Sequence, residues 1–405
     1  MSLRHRLLAF AAFLATAAIV AAIVWRGLHE PADTNSFTLL ADAFLNGRFD
    51  FKGCYDFECV RSGGKTYLIQ PPFPAVLSMP LVAAFGLHVH FYIFYAAALT
   101  ALTLLVWWLI FRRLGTESAT AGWLLVAIFA STPLAYSVVR SDGVWLFAHV
   151  VGFLMASLAV HEALAGRVVM AGLALGCAFL SRQMTLFMFP FVFAIALTVQ
   201  ARLLPPSRET VVKGLKMGLA FSLAVGFYLF YNWSRFGLPM ETGHNILAAQ
   251  AATSPDITPL VYRLRDIGVF SKDYVVFNFF YMFLQGFHAQ FTGPTMLKLE
   301  GLDPFGASFL AASPFLLFLF FCPRDRTIWF GALAVLPVVL WLLFYHSNGF
   351  KQYNGIRYML DFLPVLMVFL ARAVRPELRP AFGLLVTWGV LLNLATIGVL
   401  AVTRG

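Results

Sequence analysis

The sequence predicts an all-α polytopic membrane protein of about eleven transmembrane helices, with further helices lying in the outer interface. Three observations predict it. Of 405 residues, 60% are apolar and only 12% are charged, and the mean hydropathy is +0.79, whereas a soluble domain keeps roughly a quarter of its residues charged. Apolar runs long enough to cross a ~30 Å hydrocarbon core at ~1.5 Å per residue recur along the whole chain. The loops between alternate runs are short and basic, which is the positive-inside pattern.

The runs fall near 6–27, 89–111, 120–138, 143–163, 168–183, 184–200, 213–233, 305–322, 327–346, 357–373 and 381–402. The first follows Arg4 and Arg6 like a secretory leader, but its apolar stretch from Leu7 to Trp25 is longer than an ordinary leader core and lacks a convincing small-residue cleavage site. It reads as a retained span. Residues 168–200 fit one bent helix or two short ones. Charge decides for two: with the N-terminus cytoplasmic, the inner loops then carry Arg112-Arg113, Arg167, Arg202/Arg208/Lys213/Lys216, Arg324/Arg326 and Arg372/Arg375/Arg379. A single span would invert every loop that follows.

Two long outer loops result, Leu28 to His88 and Phe236 to Asp303, and both belong to one membrane-embedded unit spanning 1–405. Phe73–Phe85 in the first is apolar but too short to span, so it should lie in the interface or re-enter. Tyr274–Phe287 in the second is aromatic-rich with Asn278 and Gln285 as polar interruptions, and also reads as interfacial. The formal charge of +10 resides in the inner loops rather than on an aromatic-interleaved basic face, which argues against nucleic acid.

Cys54 and Cys59 share the first outer loop, while Cys177 and Cys322 lie in apolar runs. An oxidising exterior permits a Cys54–Cys59 disulfide; free thiols are the alternative, and the loop offers no convincing Cys/His set for a metal. No metal and no cofactor is expected.

Asp33 stands at the water-facing end of the first span, ahead of the amphipathic stretch Phe37-Thr-Leu-Leu-Ala-Asp-Ala-Phe-Leu45. Taken alone, Asp33 or Ser36 is a helix N-cap. The wider pattern reads Asp33, Phe37, Leu40-Ala41, Phe44-Leu45, Gly47, then Tyr67 and Pro71-Pro72. It resembles the first outer loop of the GT-C membrane glycosyltransferases, in the branch of protein O-mannosyltransferases and lipid A aminoarabinose transferases. Thr34 and Gln70 stand where that branch often has Glu and Lys. Gly176-Cys-Ala-Phe-Leu-Ser181-Arg182, Tyr231-Asn-Trp-Ser-Arg235-Phe-Gly237-Leu-Pro239 with Thr242-Gly243, and Arg357-Tyr358 with Leu363-Pro364 are similar, in order, to later family segments.

The resemblance implies an inverting transferase that moves a sugar from a polyprenyl-phosphate donor to a glycan, lipid or protein acceptor at the outer face of a bacterial inner membrane. It makes Asp33 the catalytic residue. Such chemistry needs a base for the acceptor and cations for the departing phosphate. Arg182, expensive inside an apolar run at ~2.5–3.5 kcal/mol or more, is the expected phosphate ligand unless it snorkels to headgroups. Lys351 and Arg357, in a glycine-containing outer loop, are either its partners on the phosphate or a solvated membrane-surface anchor, and Tyr358 beside them is a candidate substrate contact.

Asp142 either orients an acceptor or pairs with Arg140. Glu241, His244 and Asp266 lie in the loop that should choose the acceptor; each taken singly reads as structural, and Glu241 and His244 are the candidate substrate contacts. His149 and His161 read as interhelical hydrogen-bonders, and the Asn232-Trp-Ser234 sequon lies against a span end and is discounted. The competing class is a transporter or flippase of a lipid-linked sugar, which would show halves related by internal symmetry; the sequence shows no such repeat.

Overall fold

The computed structural model describes residues 3–197, 207–251, 258–348 and 351–404. In chain order its helices are α1 (Leu3–Leu28), α2 (Phe37–Leu45), α3 (Phe73–Phe85), α4 (Tyr92–Arg113), α5 (Ser118–Ala130), α6 (Leu134–Val139), α7 (Val144–Leu164), α8 (Val168–Phe179) and α9 (Phe189–Ala196). They continue as α10 (Arg208–Phe236), α11 (His244–Ala251), α12 (Pro259–Asp266), α13 (Val275–Phe279), α14 (Phe309–Ala312), α15 (Arg326–Leu343), α16 (Leu363–Ala373) and α17 (Arg379–Arg404). Among the described residues six helices, α1, α4, α7, α10, α15 and α17, are long and apolar enough to cross a membrane. The chain is an all-α polytopic membrane protein.

The other expected spans are shorter or interrupted, and three of the four breaks have a proline at them. Thr132-Pro133 divides the 120–138 run into α5 and α6; the Thr132 hydroxyl donates to the Ile128 carbonyl and accepts the Leu134 N–H. Residues 168–197, the described part of the 168–200 stretch, form two helices as charge required. They part at Leu180–Arg182, and the second starts as a 3-10 turn, Gln183–Met188, before Pro190 in the first turn of α9. Residues 198–206, including Arg202, lie outside the described part. The 305–322 run is α14 followed by a 3-10 segment, Pro314–Phe321, and the 357–373 run is a 3-10 turn, Arg357–Asp361, followed by α16 with Pro364 in its first turn. Proline lacks an N–H and pushes its predecessor out of the helical region, a local effect that hydropathy does not weigh.

α7 is the axis of the bundle. Most of its length is buried, and α4, α8 and α9 pack around it, with α10 against α8. Both expected interfacial segments are present. Phe73–Phe85 is α3, packed on α2. The aromatic stretch forms α13 and one π turn, Phe280–Leu284. Asn278 anchors it: its buried Nδ2 donates to the carbonyls of Leu342, Leu343 and Tyr345 at 2.9, 3.0 and 2.7 Å. These carbonyls lie at the end of α15, where intrahelical donors run out; that of Leu342 also accepts the Tyr345 N–H at 3.3 Å.

Two small antiparallel hairpins depart from the all-helical expectation. β1 (Cys59–Ser62) pairs with β2 (Lys65–Leu68) across Gly63-Gly64, whose φ values of +56° and +77° suit a two-residue hairpin turn. β3 (Ala289–Thr292) pairs with β4 (Lys298–Leu302), with a register shift between Gln290 and Phe291.

Candidate active site

A cavity of about 820 Å³ opens between the two long loops, 28–88 and 236–303, and α7, α8, α10 and α15. Its apolar side includes Phe179, Met184, Leu186, Phe187, Val225 and Leu229, and its polar side carries Glu58, Gln70, Arg182, His244, Lys351 and Arg357. Tyr358 also lines it. Arg182, Lys351, Arg357, His244 and Tyr358, expected from separate parts of the sequence, are thus brought together.

Asp33 is not. It is exposed, outside the cavity lining, with a left-handed φ of +61° and its carboxylate 3.6 Å from His88 Nδ1. It also opposes ionisation of the Tyr55 phenol, which burial already raises. Nor does it cap α2. That service comes from Asn35, whose Oδ1 accepts the Phe37 N–H at 3.0 Å, while its Nδ2 donates to the Ser141 carbonyl. The Ser36 hydroxyl instead accepts the Tyr55 N–H at 3.2 Å.

The carboxylate that does face the cavity is Glu58, which sequence reasoning missed. Trp145 Nε1 donates to one of its oxygens and Gln70 Nε2 to the other, the latter at 2.8 Å. Burial holds its carboxyl above the usual carboxylate range; the Trp145 and Gln70 donors, then the Arg357 and Arg182 charges, pull the other way. Such a group is a stronger base than an exposed carboxylate. Glu58 is surrounded by protein yet keeps a face toward the cavity.

Arg182 is fixed by a second missed acid. Its Nε and Nη2 donate to the two oxygens of Asp361 at 3.1 Å each, and its guanidinium lies 5.2 Å over the Tyr358 ring. A buried charge requires such a partner, so headgroup snorkelling is not what places it. α7 makes room: a Cβ on Gly152 would stand 2.6 Å from Arg182 Cγ and 3.3 Å from its Cβ. Arg357 is buried and lies 5.3 Å from the Tyr358 ring centre; Lys351 is exposed at the cavity with a φ of +63°.

The remaining candidates divide. Asp142 is buried but outside the lining, its oxygens taken by Arg26 at 3.1 Å and Arg140 at 3.3 Å. Glu241 also lies outside it and accepts from the Gly243 N–H and Asn245 Nδ2, a local turn role. His244 lines the cavity with Nδ1 2.9 Å from Thr242 Oγ1, and burial pushes its imidazole down to about 4, so it is neutral near pH 7. Asp266 pairs with neighbouring Arg265 at the surface. His149 and His161 do not bridge helices by strong hydrogen bonds: His149 Nδ1 meets the Trp145 carbonyl one turn back and its Nε2 stands 3.9 Å from Asp361, while His161 pairs with adjacent Glu162. Cys54 and Cys59 are joined as a disulfide, and Cys177 and Cys322 are free. The two bonded sulfurs and the Asp56 carboxylate form the one candidate metal cluster among the described residues, but a disulfide has no thiolate to offer a metal.

No family model and no curated protein matches the chain. Among solved structures it is similar to the crystal structure of ArnT from Cupriavidus metallidurans in the apo state, with a TM-score of 0.45 and 13% identity, covering 89% of this chain and 60% of that one. The chain thus spans about 60% of the length of the structure that it matches.

Proposed function

We propose that the chain is an inverting membrane glycosyltransferase of the GT-C type, taking a sugar from a polyprenyl-phosphate donor. The site would face the outer side of a bacterial inner membrane. The supporting observation is one cavity with a carboxylate held as a base, three cations, and an apolar wall. That wall continues: a second hollow of about 410 Å³ shares Leu186 and Phe187 with it and runs on past Gly218, Phe221 and Leu333. A ligand with an anionic head and a long hydrocarbon tail suits that combination.

In this reading the base role expected for Asp33 passes to Glu58. An acceptor hydroxyl or amine attacks the anomeric carbon, the bond from that carbon to the phosphate oxygen breaks, and the acceptor proton goes to the Glu58 carboxylate. The leaving polyprenyl phosphate is a stable anion and needs cations rather than an acid. Arg182 offers it the guanidinium edge turned away from Asp361, with Arg357 and Lys351 alongside. Neutral His244 hydrogen-bonds the sugar or the acceptor.

The test is release of polyprenyl phosphate from a polyprenyl-phosphate sugar by the purified chain in lipid nanodiscs, compared with Glu58→Gln and Asp33→Asn. The expected result is turnover by the wild type and by Asp33→Asn, and turnover about 10²–10⁴-fold lower by Glu58→Gln. Full activity of Glu58→Gln would overturn the assignment of the base.

A further inference from the structure

Glu58 lies inside the small ring Cys54-Tyr55-Asp56-Phe57-Glu58-Cys59 that the disulfide closes, with Cα atoms of the two cysteines 6.2 Å apart. Cross-linking residues so close in sequence removes little freedom from the unfolded chain. Overall stability is therefore a poor account of the bond, and local geometry is a better one.

Two hydrogen bonds hold the backbone of Glu58, and a third group holds the ring around it. Asp56 Oδ1 accepts the Glu58 N–H at 2.7 Å, and the Ile69 N–H donates to the Glu58 carbonyl at 2.9 Å, continuing the β1–β2 pairing. Buried Ser36, at the head of α2, places its Oγ 3.8 Å from each sulfur while holding the Tyr55 N–H. Phe57, between Asp56 and Glu58, lines the cavity itself. The ring thus presses one face on α2 and presents the other, with the carboxylate, to Trp145 and Gln70.

We infer that the Cys54–Cys59 disulfide, with Asp56, positions the Glu58 carboxylate in the cavity, so that reduction of the disulfide withdraws it. The change is a two-electron exchange with a dithiol: the sulfur–sulfur bond breaks, each cysteine gains a proton as a thiol, and the dithiol becomes a disulfide. Cys54, Cys59 and Asp56 are positioning residues. The consequence for Glu58 as a base rests on the proposed transferase reading, but its location in the cavity does not.

Dicyclohexylcarbodiimide, an apolar reagent for protonated carboxyl groups shielded from water, reports that location without any sugar transfer. The full chain in nanodiscs is labelled near pH 7 with a chelator present, oxidised and after dithiothreitol, and Glu58 modification is read by peptide mass spectrometry. Buried Glu30 is the internal reference. Burial pushes it up to about 7, and it accepts the Tyr92 and Ile93 N–H groups at 2.9 and 2.8 Å, away from the ring.

Reduction should lower Glu58 labelling severalfold, because a carboxyl withdrawn into water loses the burial that favours its protonated form, reversibly and with Glu30 unchanged. The Cys54→Ser/Cys59→Ser double variant should show the low level with or without dithiothreitol, and Asp56→Asn an intermediate one with the disulfide intact. If the serine variant does not fold, reversible reduction of the wild type decides. Unchanged Glu58 labelling in the reduced protein overturns the inference. Redox-dependent labelling in a chain that transfers no sugar would overturn the transferase reading and leave the positioning role standing.

Discussion

Gly152→Ala adds one methyl group to α7 at the point where Arg182 crosses it. The added carbon would lie 2.6 Å from Arg182 Cγ, 3.3 Å from Arg182 Cβ and 3.6 Å from Ser181 Cβ. Carbon atoms settle at about 3.5–4.0 Å, so the arginine stem must retreat by about 1 Å. Its far end is not free to absorb this, because two hydrogen bonds tie the guanidinium to Asp361. Alanine gains ~0.5–1 kcal/mol over glycine within a helix, while overpacking costs ~1–3 kcal/mol, leaving a net loss of about 1 kcal/mol. Activity should suffer more, since a 1 Å misplacement in a reacting constellation costs about a hundredfold. The assay is donor turnover by the nanodisc-reconstituted variant, with thermal unfolding and size-exclusion profile alongside. A folded variant with wild-type turnover would refute the placement of Arg182 in the reacting constellation.

Glu58→Gln should lower transfer by about 10²–10⁴-fold, the usual range for a lost general base, with Asp33→Asn near wild type; initial rates across pH 5–8 decide between the two acids. Asp56 should weaken the fold as pH rises. Burial pushes its carboxyl up to about 6 from 3.8, against the pull of Ser36 and the Glu58 N–H, so the folded state holds a proton that the unfolded chain has lost. Stability then falls between about pH 4 and 6, by at most about 3 kcal/mol. Glu30 adds a similar slope, so the measurement is the difference in thermal stability between wild type and Asp56→Asn across that window, and equal slopes would refute it. Asn278→Ala leaves the end of α15 without its donor and should cost about 1–3 kcal/mol, read as a lowered unfolding temperature; an unchanged one would show that water replaces the amide.

What the sequence disclosed was whatever is written locally. Apolar length and basic loops located the long helices, and the charge alternation separated α8 from α9. Asn278 stood out as a polar break in an aromatic stretch, though not as the cap of a helix sixty residues downstream. Gly63-Gly64 between β-capable stretches was a readable hairpin signal that the all-helical reading passed over. Asp33 had a strong local signal, an acid at a span end, but local pattern does not say which way a loop turns. Glu58 had none. Its meaning depends on Trp145 and Arg357, which are distant in sequence, on Gln70 across the hairpin, and on a disulfide whose existence was one of several options. Asp361 was hidden inside an apolar run, and Gly152 looked like any glycine in a membrane helix until Arg182 was seen against it.

The Arg182–Asp361 pair joins residues 179 positions apart, and this bears on how the protein is made. A ribosome delivers Arg182 to the membrane long before Asp361 exists. Through that interval the arginine remains an unneutralised charge in an apolar setting, a cost of ~2.5–3.5 kcal/mol or more at the bilayer centre, which reaching toward headgroups relieves. Only when the segment bearing Asp361 docks against α7 can the guanidinium turn inward. The cavity is therefore completed by parts of the chain that arrive well after Arg182. Truncated or stalled products should hold the helices from α1 to α10 with the cation side of the site unformed, and they present quality-control proteases with an exposed intramembrane charge.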